Sequence, residues 1–143
     1  MASWQARDPD YEAKVRDSFA RQAAMATIGA RLGRVAPGEV EIELPFRGDL
    51  TQQNGFLHAG IVTAVVDSAC GYAAHSLMAP GAEVLSVEFK VNLLAPAAGE
   101  RFVARGRVLR SGRTLTVCAG DLFAIRDGAE TQVATMLATM ISR

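Results

Sequence analysis

The chain is poor in the residues from which metal centres and disulfide frameworks are built. Among 143 residues there are two cysteines, Cys70 and Cys118, and two histidines, His58 and His75. None of them has the close spacing of a zinc or redox motif. No metal or redox cofactor is therefore expected, and both cysteines read as small apolar core residues of a reducing compartment. Net charge is missing as well, since fifteen basic residues balance fifteen acidic ones. That leaves no bulk attraction toward nucleic acid or an anionic membrane surface, so any anionic ligand has to be held locally. The longest charge-poor run is broken by Gln52, Gln53, Asn54 and Asp67, which argues against a membrane span. The opening MASWQARDPDYEAK lacks the basic start and apolar run of a secretory signal. The expectation is a cytoplasmic chain with no nucleic-acid and no membrane partner.

What is present is a globular composition, half of it apolar, of a size suited to one domain over residues 1–143. Its centre is Asn54 to Met78, NGFLHAGIVTAVVDSACGYAAHSLM, which reads as one long apolar helix entered through a Gly/His loop. A helix apolar on every face is normally buried. Between Leu50 and Ala82 the only formally charged side chain is Asp67, and an unpaired carboxylate in such surroundings costs several kcal/mol. Either an ion pair or backbone donors compensate it, or it faces a cleft and does chemistry there.

The flanks supply the rest of a fold. Asp8 and Pro9 suit a helix start. Tyr11, Val15 and Phe19 recur at helical spacing, so Pro9 to Met25 is expected as one amphipathic surface helix, with residues 1–26 packing on the domain. Thr27 to Val35 reads as a first strand, Ala36-Pro37-Gly38 as a turn, and Glu39 to Leu44 as a second strand with Val40, Ile42 and Leu44 inward. Phe46 to Leu57 is a loop. After Pro80-Gly81 come Leu85 to Leu93, read as a half-buried strand, then Phe102 to Arg110, Thr114 to Ile125 and Gln132 to Ile141. Turns at Ser111-Gly112-Arg113 and Asp127-Gly128 join the last three. In the final strand Val133, Thr135, Leu137, Thr139 and Ile141 share a face. Short connections favour antiparallel neighbours, and a helix apolar all round needs a sheet that curls about it. The fold class is α+β, a roll whose helix carries small residues where strands approach.

His58 stands at the helix entrance, where the amides of Ala59 and Gly60 point toward any oxygen gaining negative charge. Asp67 lies nine residues on, roughly 13 Å along the axis. It could meet such an oxygen only across two copies packed side by side.

The stretch GFLHAGIVTAVVDSACGYAA, with LSVEFKVNLLAPA and LRSGRTLTV after it, resembles the hotdog-fold acyl-CoA thioesterases of the PaaI (phenylacetyl-CoA thioesterase) type. The likeness runs from about Val40 to the C-terminus. It implies a helix wrapped by five or six antiparallel strands, homodimers with paired sheets, and a homotetramer as dimer of dimers. It also implies hydrolysis of an acyl- or aroyl-CoA to free acid and CoA, with CoA as part of the substrate rather than a cofactor. Asp67 would be the catalytic general base or nucleophile. His58 would orient the loop, Ala59 would supply the polarising amide in place of the family's glycine, and Gln52 stands where the family often has asparagine, with Asn54 close by. Gly60 and Ser86 would face the substrate, and Arg110, Ser111, Gly112 and Arg113 would match the hairpin that contacts the CoA nucleotide. His75 reads as structural and Tyr72 and Met78 as core, although Phe56, Leu57, Tyr72 and Leu77 or Met78 could shape an acyl pocket across an interface. Two alternatives remain open: a hotdog-fold enoyl-CoA hydratase or dehydratase, and a non-catalytic acyl-CoA binding module.

Overall fold

The computed structural model describes residues 3–143; Met1 and Ala2, which begin both the expected 1–143 domain and its 1–26 segment, lie outside it. The order of elements is α1 (Tyr11–Arg21), α2 (Ala23–Ile28), β1 (Arg31–Ala36), β2 (Glu39–Pro45), α3 (Ala59–His75), β3 (Val84–Leu93), β4 (Arg101–Ser111), β5 (Leu115–Arg126) and β6 (Ala129–Ser142). A single turn of 3-10 helix, Gly48–Leu50, interrupts the loop before α3. All six strands join one antiparallel sheet in the order β1-β2-β4-β5-β6-β3. The expected roll is thus borne out, with α3 packed against β2, β4, β5, β3 and β6.

Alternation explains most of the sheet. In β2, Val40, Ile42 and Leu44 are buried. Their neighbours Glu39, Glu41 and Glu43 turn outward and pair with Arg34, Arg105 and Arg101, pairs too solvated to contribute much stability. In β6 the shared face read from sequence turns outward from Thr135 on, with Leu137 53% exposed, whereas Val133 at its start is buried; Ala134, Met136, Ala138 and Met140 belong to the core. Close approach of helix and sheet depends on glycines in the strands. Gly106 and Gly120 sit opposite one another in β4 and β5. A Cβ on Gly106 would lie 2.3 Å from the Ala69 carbonyl oxygen, and one on Gly120 would lie 2.6 Å from Cys70 Sγ.

Three expectations are corrected. The N-terminal helix is not continuous, because Gln22 adopts an extended conformation, ψ 95°, between α1 and α2. The segment from Thr27 is not yet strand: Ala23–Ile28 is helical, Met25 and Ile28 bury themselves at helical spacing, and Gly29 at φ 79° ends the helix, so β1 starts only at Arg31. Finally, β3 is an edge strand rather than a half-buried one. A bulge between Ser86 and Glu88 shifts its register, and Leu85, Val87, Phe89 and Leu93 are all 43–55% exposed.

The sheet leaves a seam between its edges, along which α3 is uncovered. Ile61, Thr63, Ala64 and Asp67 are the half-buried residues of α3 beyond its first turn, and they recur at helical spacing on that stripe. The helix α1 packs on β1 and α3; its Lys14 ammonium donates to the Met78 carbonyl at 2.9 Å and pairs with Asp8 at 3.4 Å. It therefore closes the seam at the C-terminal end of α3 and leaves the N-terminal end open.

Candidate active site

The helix entrance is built by two side chains that fold back on their own backbone. Gln52 Oε1 accepts from the amides of Asn54 at 2.5 Å and Phe56 at 3.3 Å, so Gln52 shapes the loop before α3. Asn54 is exposed at its tip. His58 is the N-cap of α3, and its Nδ1 accepts from the Gly60 amide at 2.8 Å. That bond fixes the ring as the Nε2–H tautomer. It also engages the Gly60 N–H, the second of the two amides expected from sequence to point toward a substrate oxygen. The amides of Ile61 and Val62 donate to the His58 carbonyl. Of the first-turn donors, the Ala59 N–H alone has no partner among the described residues. Gln52 and Ala59 border an apolar cleft of about 440 Å³ with Phe56, Leu57, Val62 and Leu93, while His58 and Gly60 face a smaller hollow beside Asp49 and Ile61.

Asp67 sits two turns further along α3. No lysine or arginine lies within ion-pair distance of it among the described residues. Its partner is a hydroxyl: Ser86 Oγ donates to Asp67 Oδ1 at 2.7 Å. Burial pushes the Asp67 carboxyl above its ordinary value, and the Ser86 hydrogen bond draws it part of the way back. A half-buried carboxylate raised by burial and tempered by one hydroxyl has the surroundings of an acid–base group rather than of a solvated surface charge. Ser86 reaches it because the bulge in β3 comes after that residue, leaving Ser86 opposite the inward-facing Met140.

Beside Asp67 opens a second cleft of about 440 Å³, bordered by Ser18, Arg21, Gln22, Tyr72 and Ser86. The sequence assigns α1 to packing, and Tyr72 to the core or to an acyl pocket formed across an interface; it offers no role for Ser18 or Gln22. The contact that changes this is Gln22, whose amide joins Ser68 at 3.0 Å and Tyr72 at 3.0 Å. The interruption of helix at Gln22 is what lets its side chain reach inward, and no local pattern in the sequence signals a contact made 46 and 50 residues away.

Within one chain the expected site residues fall into three places. Asp67 and Ser86 meet. Ala59, Gln52 and His58 gather at the entrance, where Ala59 stands eight residues or roughly 12 Å from Asp67 along the axis. The hairpin Arg110–Arg113 stands apart: Ser111 is opposite Thr116, Thr116 opposite Met140 and Met140 opposite Ser86, a separation of three strand spacings, about 14 Å. Arg110 and Arg113 are exposed. The two thiols are buried, Cys118 pushed up to about 12 and Cys70 further by burial, so neither is a ready nucleophile. Among the described residues no three His, Cys, Asp or Glu side chains converge to hold a metal ion, and no helix is long and apolar enough to cross a membrane.

Against known proteins, the family model described as Thioesterase superfamily matches residues 54–130. A thioesterase family protein of known crystal structure from Silicibacter pomeroyi is 60% identical, with 92% of this chain and 97% of that one covered and a TM-score of 0.91. Human acyl-coenzyme A thioesterase 13 is 33% identical over 61% of this chain and 62% of its own length. The PaaI protein of the E. coli phenylacetic acid degradation operon superposes with a TM-score of 0.84 over 96% of both chains at 15% identity, a likeness of fold alone. The chain spans 56% of the length of the first curated relative it matches.

Proposed function

This chain belongs to the thioesterase superfamily, and from that premise we propose that it hydrolyses an acyl- or aroyl-CoA thioester to the free acid and CoA, with Asp67 as general base or nucleophile. The observation that carries the proposal is the pairing of a half-buried carboxylate, held by Ser86 and matched by no cation among the described residues, with a cleft beside it. In the general-base course a water gives its proton to Asp67 as its oxygen adds to the thioester carbon. Charge then gathers on the former carbonyl oxygen, where the free Ala59 N–H receives it. Collapse breaks the C–S bond and the thiolate of CoA takes up a proton. In the nucleophilic course the carboxylate adds first, and water cleaves the resulting anhydride. CoA enters as part of the substrate, and no cofactor takes part in either course.

A homodimer completes this site. Ala59 and Asp67 of one chain are too far apart along α3 to touch one carbonyl, so the amide of one protomer serves the carboxylate of its partner. The open edge of β3 supports this, since it leaves backbone donors and acceptors unpaired beside the exposed inward-facing Phe89 and Leu93. The outer sheet face, with Leu85, Leu115 and Leu137 each about half exposed, supports a further pairing of dimers into a tetramer. The entrance residues then act on the substrate from the partner: His58 and Gln52 hold the loop, and Arg110–Arg113 lies within reach of a CoA nucleotide. Two free thiols fit a reducing cytoplasm.

The test is thiol release over short, long and aromatic acyl-CoAs. Asp67→Asn is expected to reduce turnover at least about a hundredfold, the contribution of a positioned base, while the fold persists. Near-normal turnover in that variant removes Asp67 from the mechanism, and saturable binding without thiol release from the unaltered protein would make it a binding module. A hydratase course needs an imidazole beside the carboxylate. In one chain His58 is engaged with Gly60 and His75 is buried against the Ala82 carbonyl.

A further inference from the structure

The cleft beside Asp67 ends in polar groups whose hydrogen-bonding capacity is not used up. Ser68 Oγ donates to Gln22 Oε1 at 3.0 Å, Gln22 Nε2 donates to Tyr72 Oη at 3.0 Å, and Tyr72 Oη shares a hydrogen with Ser18 Oγ at 3.2 Å. The Gln22 amide has two N–H groups and the Ser18–Tyr72 pair has two hydroxyl hydrogens. One of each remains unspent. Tyr72 is 4% exposed and Ser68 8%, while Ser18 and Gln22 are half-buried at the mouth of the cleft, so the polar groups are anchored from below and reach the cleft from its α1 side. An apolar end to the cleft would require none of it, and donors left unpaired beneath a bound apolar group carry a desolvation cost.

The course of a substrate through the seam follows from what closes each end. CoA must reach solvent, and the seam is open toward the N-terminal end of α3. Beyond Asp67 it is closed by α1, which brings Ser18, Arg21 and Gln22 over α3. A thioester at Asp67 with its CoA leaving through the open end directs its acyl group toward the closed end. Tyr72 is five residues past Asp67, roughly 7.5 Å further along the axis, a distance suited to the far end of a medium-length acyl group. The charges bordering the cleft, Arg21 against Glu83 and Asp67, leave no excess of positive charge for an anion. An uncharged oxygen is the fitting occupant.

We propose that Gln22 and Tyr72, with Ser18, form the specificity wall of the acyl cleft and select acyl groups whose far end carries a hydroxyl or keto oxygen over all-alkyl ones. This rests on the thioesterase reading of the same site. Gln22 and Tyr72 act as substrate-contacting specificity residues, and the extended backbone at Gln22, between α1 and α2, is what brings its side chain to the substrate.

The experiment compares kcat/KM for hexanoyl-CoA, 6-hydroxyhexanoyl-CoA and the six-carbon dicarboxylic half-thioester in the unaltered protein, in Gln22→Leu and in Tyr72→Phe. Tyr72→Phe removes one oxygen and keeps the ring packing, so it reports even where Gln22→Leu disturbs α1. The expected result is a preference of at least about tenfold for the hydroxylated member over hexanoyl-CoA, collapsing toward equality in both variants. Equal loss on all three substrates in the variants would mean that the cleft takes the part common to every acyl-CoA and overturns the proposal. An unaltered ratio, or a preference for the dicarboxylic member, overturns it too. In those cases hydrolysis itself persists and the thioesterase reading stands; thiol release from none of the three overturns both.

Discussion

The Ser86 hydroxyl donates to Asp67 Oδ1 at 2.7 Å, joining the edge strand β3 to the half-buried middle of α3. Two causes act on the carboxyl with opposite signs: burial raises its pKa and this hydrogen bond lowers it. Ser86→Ala removes the second and leaves the first. In the proposed general-base course the carboxylate acts in its ionised form, so activity is expected to rise with pH through the Asp67 pKa. The acid limb of the pH–rate profile is expected to move to higher pH in Ser86→Ala. The plateau above it falls less than in Asp67→Asn. A profile with an unmoved acid limb would show that Ser86 does not act through the carboxylate.

The free amide of Ala59 can be deleted without disturbing α3. Ala59 is the first helical residue after the N-cap His58, the position at which proline is best tolerated. His58 already has φ −61° and ψ 138°, the extended conformation that a following proline demands. Ala59→Pro therefore removes one N–H and little else. Loss of a single oxyanion donor commonly lowers kcat by about 10²–10³-fold. That drop is expected with the melting temperature nearly unchanged, measured by thiol release and thermal denaturation. Full activity would assign the polarising donor elsewhere.

Which parts of this arrangement were legible from sequence depends on whether the deciding contact is local. Strand β2 was plain because Val40, Ile42 and Leu44 carry their burial in their own spacing, and the turn at Asp127-Gly128 because positive φ at both residues, 50° and 77°, favours such residues. The break at Gln22 was not legible, since a glutamine suits a helix interior and only Ser68 and Tyr72, far along the chain, pull it out. The edge position of β3 was hidden for a related reason: alternation tells which residues share a face and not whether another element covers it. The family resemblance implied only that Ser86 faces the site; its contact with Asp67 was not legible, because it depends on the register of β3 against β6 and on the bulge after Ser86. The exposed hairpin at Arg110–Arg113 was legible as a turn, while its distance from Asp67 needed the strand order.

His75 couples the other end of α3 to pH. The residue is 1% exposed, one ring nitrogen is 2.9 Å from the Ala82 carbonyl, and Nδ1 has no partner among the described residues. Burial lowers its pKa below the ordinary 6.5, against the Ala82 hydrogen bond that raises it; Lys14 and Arg21 lower it and Glu83 raises it. The folded state thus keeps the ring neutral where the unfolded chain protonates it. Stability is fully present above the unfolded value and is lost as pH falls below about 6.5. Asp67, with a raised folded pKa, acts in the opposite sense, so the comparison belongs in the Asp67→Asn background. There, thermal midpoints are expected to fall on acidification from about pH 7 to about pH 5.5, and to fall less when His75→Gln is added, because glutamine has no proton to take up in that range. Equal slopes with and without the histidine would remove this linkage.

Two buried glycines respond in opposite directions to the same added methyl group. At Gly106 the Cβ would stand 2.3 Å from the Ala69 carbonyl oxygen and 2.4 Å from its carbon. These are backbone atoms of α3 that cannot turn aside as a side chain can. Gly106→Ala must push the helix off the sheet, and overpacking of this kind costs about 1–3 kcal/mol. At Gly71, inside α3, nothing lies within 4 Å of the added Cβ. Alanine there gains helix propensity worth up to about 1 kcal/mol. Chemical denaturation is expected to show Gly106→Ala destabilised and Gly71→Ala equal to or more stable than the unaltered protein. Because Gly71 borders the cleft beside Asp67, its methyl group also narrows the space beyond the thioester. Gly71→Ala is therefore expected to raise KM for bulky acyl groups while stability holds or rises, a separation of folding from function that a purely structural glycine would not give.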